Sequence, residues 1–406
     1  MQTLTTTCCI AGGGPAGMML GWLLARAGVD VVVLEKHKDF NRDFRGDTIH
    51  PATMELMWEL GVLDKFLQRP HQEFSEITAE IDDFSVTVVD TSHLPVHKKV
   101  VGVMPQWEFL NFVAEQARQY PHFQLQMEAE ATDLLRADGR VVGVRAKTPQ
   151  GEVEIRAALT VGCDGRHSIV RQAAGLEVID RGAPIDVLWT QLSRKPGDQE
   201  NVLGHYRQGR LLVAINRGDY WQCAYVIPKG QAQEMKQRGI AALRENIAFV
   251  APFLRDRVAE LQDWDKQVSL LTVAVDYLKQ WWLPGLLCIG DAAHAMSPVG
   301  GVGINLAIQD AVAAANLLWK PLRDGNVTTK DLNRVQKRRE FPTRVTQRVQ
   351  VFIHKKILDP ALQRQAPLKK LPLPLLLLDK FPLLRRIPAR VIGMGARPEH
   401  VHSPRV

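Results

Sequence analysis

A glycine-rich turn close to the N-terminus constrains the fold more than any other feature of this sequence. Gly12, Gly14 and Gly17 form a GxGxxG pattern between the apolar residues 8–11 and a run of helix-forming residues that begins at Pro15. A second apolar run, rich in valine, follows this predicted helix. The succession of strand, glycine turn, helix and strand predicts a βαβ unit in a parallel sheet.

The residues of this turn are suited to a dinucleotide. Gly12 allows a tight turn, Gly14 allows the backbone to approach a pyrophosphate, and Gly17 allows close packing of the helix against the strand. Glu35 follows the second predicted strand, where its carboxylate can accept hydrogen bonds from a ribose. The predicted site comprises Gly12, Gly14, Pro15, Ala16, Gly17, Glu35 and Lys36. The pattern alone does not distinguish FAD from NAD.

Bulk composition is that of an ordinary globular protein. Of the 406 residues, 46% are hydrophobic and 23% are charged, and the length predicts two or three hydrophobic cores. The five cysteines are scattered and show no CxxC spacing, so we expect neither a disulfide framework nor a metal site. The N-terminal residues do not resemble a signal peptide, and we expect a cytoplasmic protein.

The positive charge is concentrated near the C-terminus. Residues 320–406 contain 20 Lys or Arg and 6 Asp or Glu, while the whole chain has a net charge of +7. These basic residues lie among leucines and prolines rather than in an aromatic stripe, which argues against nucleic-acid binding. The prolines exclude one long amphipathic helix. Three uses of the segment stay open: cover for the body, contact in a homodimer, and weak contact with an anionic membrane surface.

The order of predicted elements indicates a discontinuous domain. Residues 1–75, 100–180 and 276–325 combine strands and helices in the α/β manner and form the predicted nucleotide-binding domain. Residues 76–99 and 181–275 are mostly β-strand with turns and form a predicted antiparallel sheet that binds substrate. Residues 326–406 form a predicted helical, basic and apolar C-terminal region.

Two later segments narrow the choice of cofactor. Residues 162–171 contain the Asp164-Gly165 pair at the end of a predicted strand, and residues 290–305 contain Gly290-Asp291 followed by three further glycines. Together with the first glycine turn, these segments resemble the class A flavoprotein monooxygenases, the para-hydroxybenzoate hydroxylase-like family. The three motifs have the order that this family shows and extend over nearly 300 residues.

The resemblance implies a Rossmann-like FAD-binding domain with an inserted antiparallel sheet domain. It also implies FAD as the cofactor, NADH or NADPH as a transient electron donor, and O₂ as the oxidant for hydroxylating a small aromatic or polycyclic substrate through a flavin hydroperoxide. Further residues implied to bind the cofactor are Arg45, Gln106, Asp164, Gly290, Asp291, Pro298, Gly301, Gly303, Ile304 and Asn305. His294, inside the third motif, could act as a base or serve the structure.

The substrate pocket is expected between the predicted sheet and the flavin edge. Polar and aromatic candidates on its strands are Trp189, Gln191, His205 and Tyr225. Strand alternation places residues on two faces, but it does not say which face is turned inward.

Other activities fit the same motifs, because cofactor motifs do not encode the substrate. A flavin-dependent reductase, an epoxidase and a Baeyer–Villiger-type oxygenase are alternatives, and a non-catalytic FAD-binding protein is a further one. A flavin halogenase is disfavoured, since residues 223–228 read CAYVIP where those enzymes carry a WxWxIP segment.

Overall fold

Two large β-sheets organise the chain in the computed structural model, which describes residues 2–41, 48–198 and 202–406. The strands of these residues are β1 Gln2–Ala11, β2 Val31–Leu34, β3 Thr48–Ile49, β4 Gln72–Phe74, β5 Glu76–Ile81, β6 Phe84–Asp90, β7 Val101–Val103, β8 Phe123–Gln126, β9 Glu130–Ala137, β10 Arg140–Thr148, β11 Gly151–Gly162, β12 Val178–Asp180, β13 Ile185–Ser193, β14 Val202–Arg207, β15 Arg210–Asn216, β16 Tyr220–Pro228, β17 Ser269–Leu271, β18 Asp276–Leu278, β19 Trp282–Leu283 and β20 Leu286–Cys288.

The α-helices of the same residues are α1 Pro15–Arg26, α2 Pro51–Glu59, α3 Leu63–Phe66, α4 Gln106–Ala117, α5 Ile169–Ala173, α6 Ala232–Gln237, α7 Gly239–Val250, α8 Trp264–Gln267, α9 Gly303–Arg323, α10 Thr329–Ile353, α11 Asp359–Gln363, α12 Leu373–Lys380 and α13 Arg386–Gly393. Short 3-10 turns and one π-helical turn, His354–Leu358, connect some of them.

The first sheet is the parallel sheet that the glycine turn predicts. Its strands follow the order β19-β20-β11-β1-β2-β8, and the contacts of β1 with β2 and β11, of β2 with β8 and of β11 with β20 are parallel. The strands β9 and β10 extend the sheet as an antiparallel hairpin on β11. The strand β11 is long, and it pairs in parallel with β1 from Val153 to Gly162.

Helices α1, α4 and α9 pack together on this sheet. The first helix is almost wholly buried, since ten of its twelve residues are inaccessible to solvent. By length and composition α9 could cross a membrane, but 72% of its apolar window is buried inside the protein. The helix also buries Asn305, Gln309 and Asp310. We therefore interpret α9 as a core helix, because these polar side chains form hydrogen bonds with other parts of the protein.

The second sheet is antiparallel apart from one pair of strands. Its order is β17-β13-β16-β15-β14-β5-β6, and only the contact between β14 and β5 is parallel among the described strands. It thus joins strands from both segments, 76–99 and 181–275, that the sequence assigns to a second domain. One face packs on α7, where Leu188 and Tyr225 meet Leu243 and Ile247 in an apolar core.

The C-terminal region is helical, and its prolines divide it. After the long α10, the short helices α12 and α13 pack against β6 and are separated by a 3-10 turn, Pro382–Arg385. The chain then returns to α1, where Arg26 Nη1 donates to the carbonyl of Ser403 at 2.7 Å and the Val406 N–H donates to the carbonyl of Arg26 at 3.1 Å. The last residues are therefore tied to the first helix.

A buried cluster of charges connects α9, α10 and the C-terminal residues. Arg339 donates from Nε to Asp310 at 2.8 Å and from Nη1 to Glu399 at 3.1 Å. Asp310 also contacts His294 at 2.5 Å, and Glu399 accepts from Arg338 at 2.8 Å. Burial alone would raise the pKa of Asp310, but His294 and Arg339 outweigh it and lower that pKa. Each buried charge of this cluster has a hydrogen-bonded partner of opposite sign, so removing one partner would leave another charge buried without compensation.

Replacing Glu399 with Gln should lower the free energy of unfolding by about 2–3 kcal/mol, because Arg339 would lose one of its two charged partners while staying buried. Urea denaturation followed by circular dichroism measures this change. The control is Arg334→Gln, which removes an exposed pair with Asp331 of 3.7 Å and should change stability by less than about 0.5 kcal/mol. Equal effects of the two substitutions would contradict the assignment of Glu399 to a buried cluster.

Candidate functional site

Four neighbouring parallel strands end at one edge of the first sheet. In the order β2-β1-β11-β20, the pairing aligns Leu34 with Ala11, Ala11 with Gly162, and Gly162 with Cys288. The residues that follow these strand ends are those of the three sequence motifs. Ligands of α/β proteins bind outside the carboxyl ends of parallel strands, so the topology itself brings the motifs to one cleft.

The glycines of the first motif answer two different requirements. Gly12 has a φ of +110°, and a Cβ there would lie 2.4 Å from the carbonyl oxygen of Cys163. A Cβ on Gly17 would lie 2.0 Å from the carbonyl oxygen of Gly12. Gly14 differs, because its φ of −75° is ordinary and a Cβ there would meet no atom within 4 Å. The packing of the protein therefore explains Gly12 and Gly17, while Gly14 leaves open space at the start of α1.

That open space adjoins polar groups suited to phosphate. Gly14 is the N-cap of α1, whose first N–H groups have no partners within the helix and whose dipole favours negative charge. Pro15 occupies the first helical position, where its missing N–H costs no hydrogen bond. Ala16 is buried behind the turn. The backbone of this turn can thus contact a pyrophosphate, as the sequence predicts.

Glu35 lies directly beside the glycine turn. Its side chain is buried, and its two oxygens accept hydrogen bonds from the N–H groups of Gly13 at 3.1 Å and His37 at 3.0 Å. These contacts orient the carboxylate at the end of β2, beside the glycine turn. Lys36, the next residue, is exposed to solvent.

The second and third motifs face each other across the cleft. Asp164 is mostly buried and accepts from the N–H of Val170 at 3.1 Å, and burial raises its pKa. Asp291 keeps about a third of its side chain exposed and lies 4.0 Å from Arg166 Nη2. Its neighbour Gly290 donates its N–H to the buried Asp310 at 3.1 Å. The Asp291 carboxylate therefore stands on a fixed turn and is accessible from the cleft.

The part of the third motif that leads into α9 passes close to β3. Gly300 and Gly301 have φ angles of +80° and +60°, and a Cβ on Gly301 would lie 2.6 Å from Thr48 Oγ1. Pro298 begins this loop and is half-buried, whereas Ile304 in the first turn of α9 is buried in the hydrophobic core. The loop, which we call the glycine loop (residues 298–303), ends at the N-terminus of α9.

Asn305 holds the glycine loop in place. Its Oδ1 accepts from the His50 N–H and from Thr53 Oγ1, both at 2.8 Å, and its Nδ2 donates to the carbonyls of Thr48 at 2.8 Å and Gly301 at 3.1 Å. These contacts use both side-chain groups within the protein. The prediction that Asn305 contacts the cofactor therefore changes: its side chain positions the loop, and only its backbone lies at the helix N-terminus.

Sequence reasoning missed the role of α10 in supporting the site. One face of α10 and the following turn carries five polar residues at helical spacing: Arg339, Thr343, Gln347, Gln350 and His354. Gln350 Nε2 donates to the carbonyls of Ser297 at 2.9 Å and Val299 at 3.0 Å, and His354 Nε2 contacts Ser297 Oγ at 2.8 Å. The recurrence every three or four residues is the signal that could have revealed this polar seam.

His294 belongs to the structure rather than to the cleft. Its Nε2 contacts the Asp310 carboxylate at 2.5 Å, its ring packs 5.0 Å from the Trp281 ring, and 1% of the residue is exposed. Of the two roles that the sequence leaves open, the geometry favours the structural one, because a base must reach its substrate.

Two of the implied cofactor residues are placed less directly. Gln106 begins α4, is mostly buried, and lies on a helix that packs against α1. Arg45 lies outside the described residues.

The second sheet divides the four substrate candidates between its two faces. Tyr225 pairs with Leu188 in the apolar core on α7, and His205 contacts Glu80 at 3.0 Å and the Phe253 ring at 5.2 Å on that same side. His205 and Tyr225 were therefore wrongly assigned to the pocket. Trp189 and Gln191 lie on the opposite face. That face forms a second apolar cluster with the glycine loop, comprising Val187, Trp189, Leu211, Val213, Ala224, Val226, Val299, Leu358 and Leu362.

The residues present fit FAD. The diphosphate needs N–H donors, which the turn at Gly14 and the start of α1 offer, and the ribose and ribityl hydroxyls need acceptors, which Glu35 and Asp291 offer. The open space at Gly14 is what close approach of a phosphate requires. The start of α9 would favour negative charge on the ring system.

Comparison with known proteins agrees with this geometry. A family model described as FAD binding domain matches residues 5–349. The chain is 33% identical over 352 residues to 6-methylpretetramide 4-monooxygenase of Streptomyces rimosus, which covers 86% of this chain and 83% of that protein. It is 28% identical over 330 residues to dialkyldecalin synthase of Streptomyces rugosporus, covering 78% of this chain and 65% of that protein.

A solved structure shows the same fold. The p-nitrophenol 4-monooxygenase PnpA of Pseudomonas putida DLL-E4 matches with a TM-score of 0.78 and 20% identity, covering 98% of this chain and all of that one. At this identity the likeness concerns the fold alone. Because the family model spans most of the chain and the Streptomyces rimosus relative agrees with it over nearly the same extent, this chain belongs to the FAD binding domain family.

Proposed function

We propose that this chain is a FAD-dependent monooxygenase that uses NADH or NADPH and O₂ to hydroxylate an aromatic or polycyclic substrate. One observation carries the proposal: the three motifs meet at one edge of the parallel sheet, and the glycine loop of the third motif packs against an apolar face of the second sheet. A cofactor site and an apolar wall are thereby adjacent, which is what hydroxylation of an apolar ring requires. The sequence similarity to a monooxygenase supports the same reaction.

In this proposal the protein's own residues bind the cofactor and orient it toward the substrate. When bound, FAD supplies the chemistry that amino acids lack, namely acceptance of hydride from a nicotinamide and activation of O₂. The turn at Gly14 would contact the diphosphate, Glu35 would accept from the ribose, and Asp291 would accept from the ribityl chain. The glycine loop and the N-terminus of α9 would hold the flavin ring, whose negative charge the helix dipole would stabilise.

The second sheet contributes the substrate side. Trp189 and its apolar neighbours form a wall that excludes water and offers a flat ring for stacking. Gln191 lies across from Gln222 on the same face and is exposed, so its amide can orient a polar substituent. We accordingly propose a Rossmann-like FAD-binding domain of residues 1–75, 100–180 and 276–325, with an inserted substrate domain of residues 76–99 and 181–275.

The sequence contains the GxGxxG pattern once, at the junction of β1 and α1. No second pattern of this kind is left to bind the nicotinamide donor. We therefore propose that NADH or NADPH binds transiently at the surface of the cleft. The relative named as a dialkyldecalin synthase supports a second candidate, a synthase reaction on the same scaffold.

Replacing Gly14 with Ala should weaken FAD binding at least about tenfold, because the added methyl would occupy the space that a phosphate needs. The stability of the apoprotein should change by less than about 0.5 kcal/mol, since the methyl meets no protein atom within 4 Å. Fluorescence titration with FAD and urea denaturation give the two values. The matched control is Gly17→Ala, whose methyl would clash with the backbone and should destabilise the apoprotein. Normal FAD affinity in Gly14→Ala would contradict the placement of the diphosphate.

The FAD-loaded protein should oxidise NADH or NADPH faster in the presence of its aromatic substrate and add one oxygen atom to it. Stopped-flow absorbance under anaerobic conditions follows flavin bleaching, and mass spectrometry after exposure to O₂ identifies the product from panels of phenols, quinones and polycyclic aromatics. Failure of both donors to bleach the flavin, with and without these compounds, would contradict a monooxygenase. Bleaching coupled to a reduced product without added oxygen would favour the reductase alternative.

Replacing Trp189 with Ala should raise KM for the aromatic substrate about tenfold while FAD content stays unchanged, because truncating a contacting indole removes about 1–3 kcal/mol of apolar burial. Steady-state kinetics with the substrate that the product assay identifies measures this KM. Tyr225→Phe is the control, since Tyr225 lies on the α7 face of the same sheet and should leave KM within about twofold. A larger effect of Tyr225→Phe than of Trp189→Ala would reverse the assignment of the two faces.

A further inference from the structure

The two short C-terminal helices expose a continuous apolar surface. On α12 and just after it, Leu373, Leu377 and Phe381 follow one another at intervals of four residues, and Leu383, Ile387 and Val391 do the same along the next turn and α13. These six side chains, which we call the C-terminal patch, are between 37% and 69% exposed. Apolar side chains at such spacing form one face of a helix, and here that face is turned to solvent.

The opposite faces of these helices already contact the body. Ala389 is fully buried, and a Cβ on Gly393 would lie 3.0 Å from Leu94 Cδ1 and 3.3 Å from Pro51 Cγ. Both helices pack against β6. The inner faces of the two helices therefore cover the core. This role does not explain the apolar residues on the outer faces.

The segment that carries the C-terminal patch is strongly basic. Residues 364–397 contain eight Lys or Arg and one Asp, a net charge of +7, which is half of the excess of +14 in residues 320–406. Residues 1–319, by contrast, carry a net charge of −7. Lys369, Lys370, Lys380, Arg386 and Arg390 are all exposed. The patch thus combines apolar side chains with a surrounding excess of cations.

The combination of apolar side chains and positive charge favours a lipid surface over a second copy of the chain as the partner of the C-terminal patch. A second copy of the chain in a symmetric dimer would bring the same patch, and hence the same positive charge, against itself. An anionic lipid surface does the opposite, because its headgroups attract the cations while the apolar side chains enter the boundary with the acyl chains.

We propose that the C-terminal patch binds the surface of a bilayer that contains anionic phospholipids. The binding itself is independent of the proposed function. It also brings the cleft near the bilayer, because a Cβ on Gly300 of the glycine loop would lie 3.9 Å from Ile392 Cγ1 of α13. If the proposed function holds, the favoured substrates are apolar compounds that partition into the membrane.

The experiment is co-sedimentation of the FAD-loaded full chain with sucrose-filled vesicles of phosphatidylcholine, with or without phosphatidylglycerol. Binding should be at least about tenfold tighter to the vesicles with phosphatidylglycerol and should weaken as salt is raised. The measurement needs no substrate, so its outcome is separate from that of the activity assay. Equal binding to both vesicle types, or binding to neither, would overturn the proposal.

Substitutions in the C-terminal patch and in the cations around it separate the apolar from the electrostatic contribution to vesicle binding. Lys380→Glu with Arg390→Glu should abolish the preference for phosphatidylglycerol, and Leu383→Ser with Ile387→Ser should reduce binding to both vesicle types. Lys266→Glu and Leu270→Ser are matched controls, because both residues are well exposed but lie outside the patch. Circular dichroism and FAD content verify folding.

Sedimentation velocity separates the competing occupant. The free protein should sediment as a monomer over the concentrations used for vesicle binding. A dimer that dissociates in the Leu383→Ser, Ile387→Ser protein, together with no vesicle binding by the unmodified chain, would overturn the proposal in favour of self-association.

Discussion

The parallel pairing of β11 with β1 on one side and β20 on the other is the constraint on which the site depends. Residues about 150 positions apart, such as Gly12 and Asp164, become neighbours only because Ala11 pairs with Gly162. The pairing of Gly162 with Cys288 then adds Asp291 to the same edge. A shift of one residue in either pairing would turn the following side chains to the other side of the sheet. The cofactor site is thus a property of strand register before it is a property of any side chain.

Hydrogen bonds, rather than apolar packing alone, fix the glycine loop against this edge. Asn305 connects the loop to β3 and α2, and Gln350 with His354 connects it to α10. Such contacts are directional, so they define one arrangement of a loop that has few side chains of its own. Burial lowers the pKa of His354, so we expect its ring to stay neutral. The ring then forms one hydrogen bond, between its Nε2 and Ser297 Oγ. The buried cluster around Arg339 then joins the same helix to α9.

Much of the architecture was predictable, because glycine patterns and apolar periodicity are local signals. Gly12, Gly17 and the boundaries of α1 follow from a short stretch of sequence, and so does the start of α9 at Gly303. The two faces of the second sheet were not predictable, since Trp189 and Tyr225 both belong to apolar clusters and alternation alone does not say which cluster meets the glycine loop. The role of Asn305 depends on a partner 252 residues away in the sequence, and that of Glu399 on a partner 60 residues away. Contacts between such distant residues leave no local pattern in the sequence.

The polar seam of α10 has a consequence for motion. Gln350 donates to the carbonyl groups on both sides of Pro298, so the loop can leave its position only when both of these hydrogen bonds break. Opening of the loop is therefore coupled to the side chain of Gln350, and the loop's backbone should open only when that side chain lets go of both carbonyl groups. A ligand that orders the loop would hold Gln350 in place as well, so the order of one side chain on α10 would depend on whether the cleft is occupied.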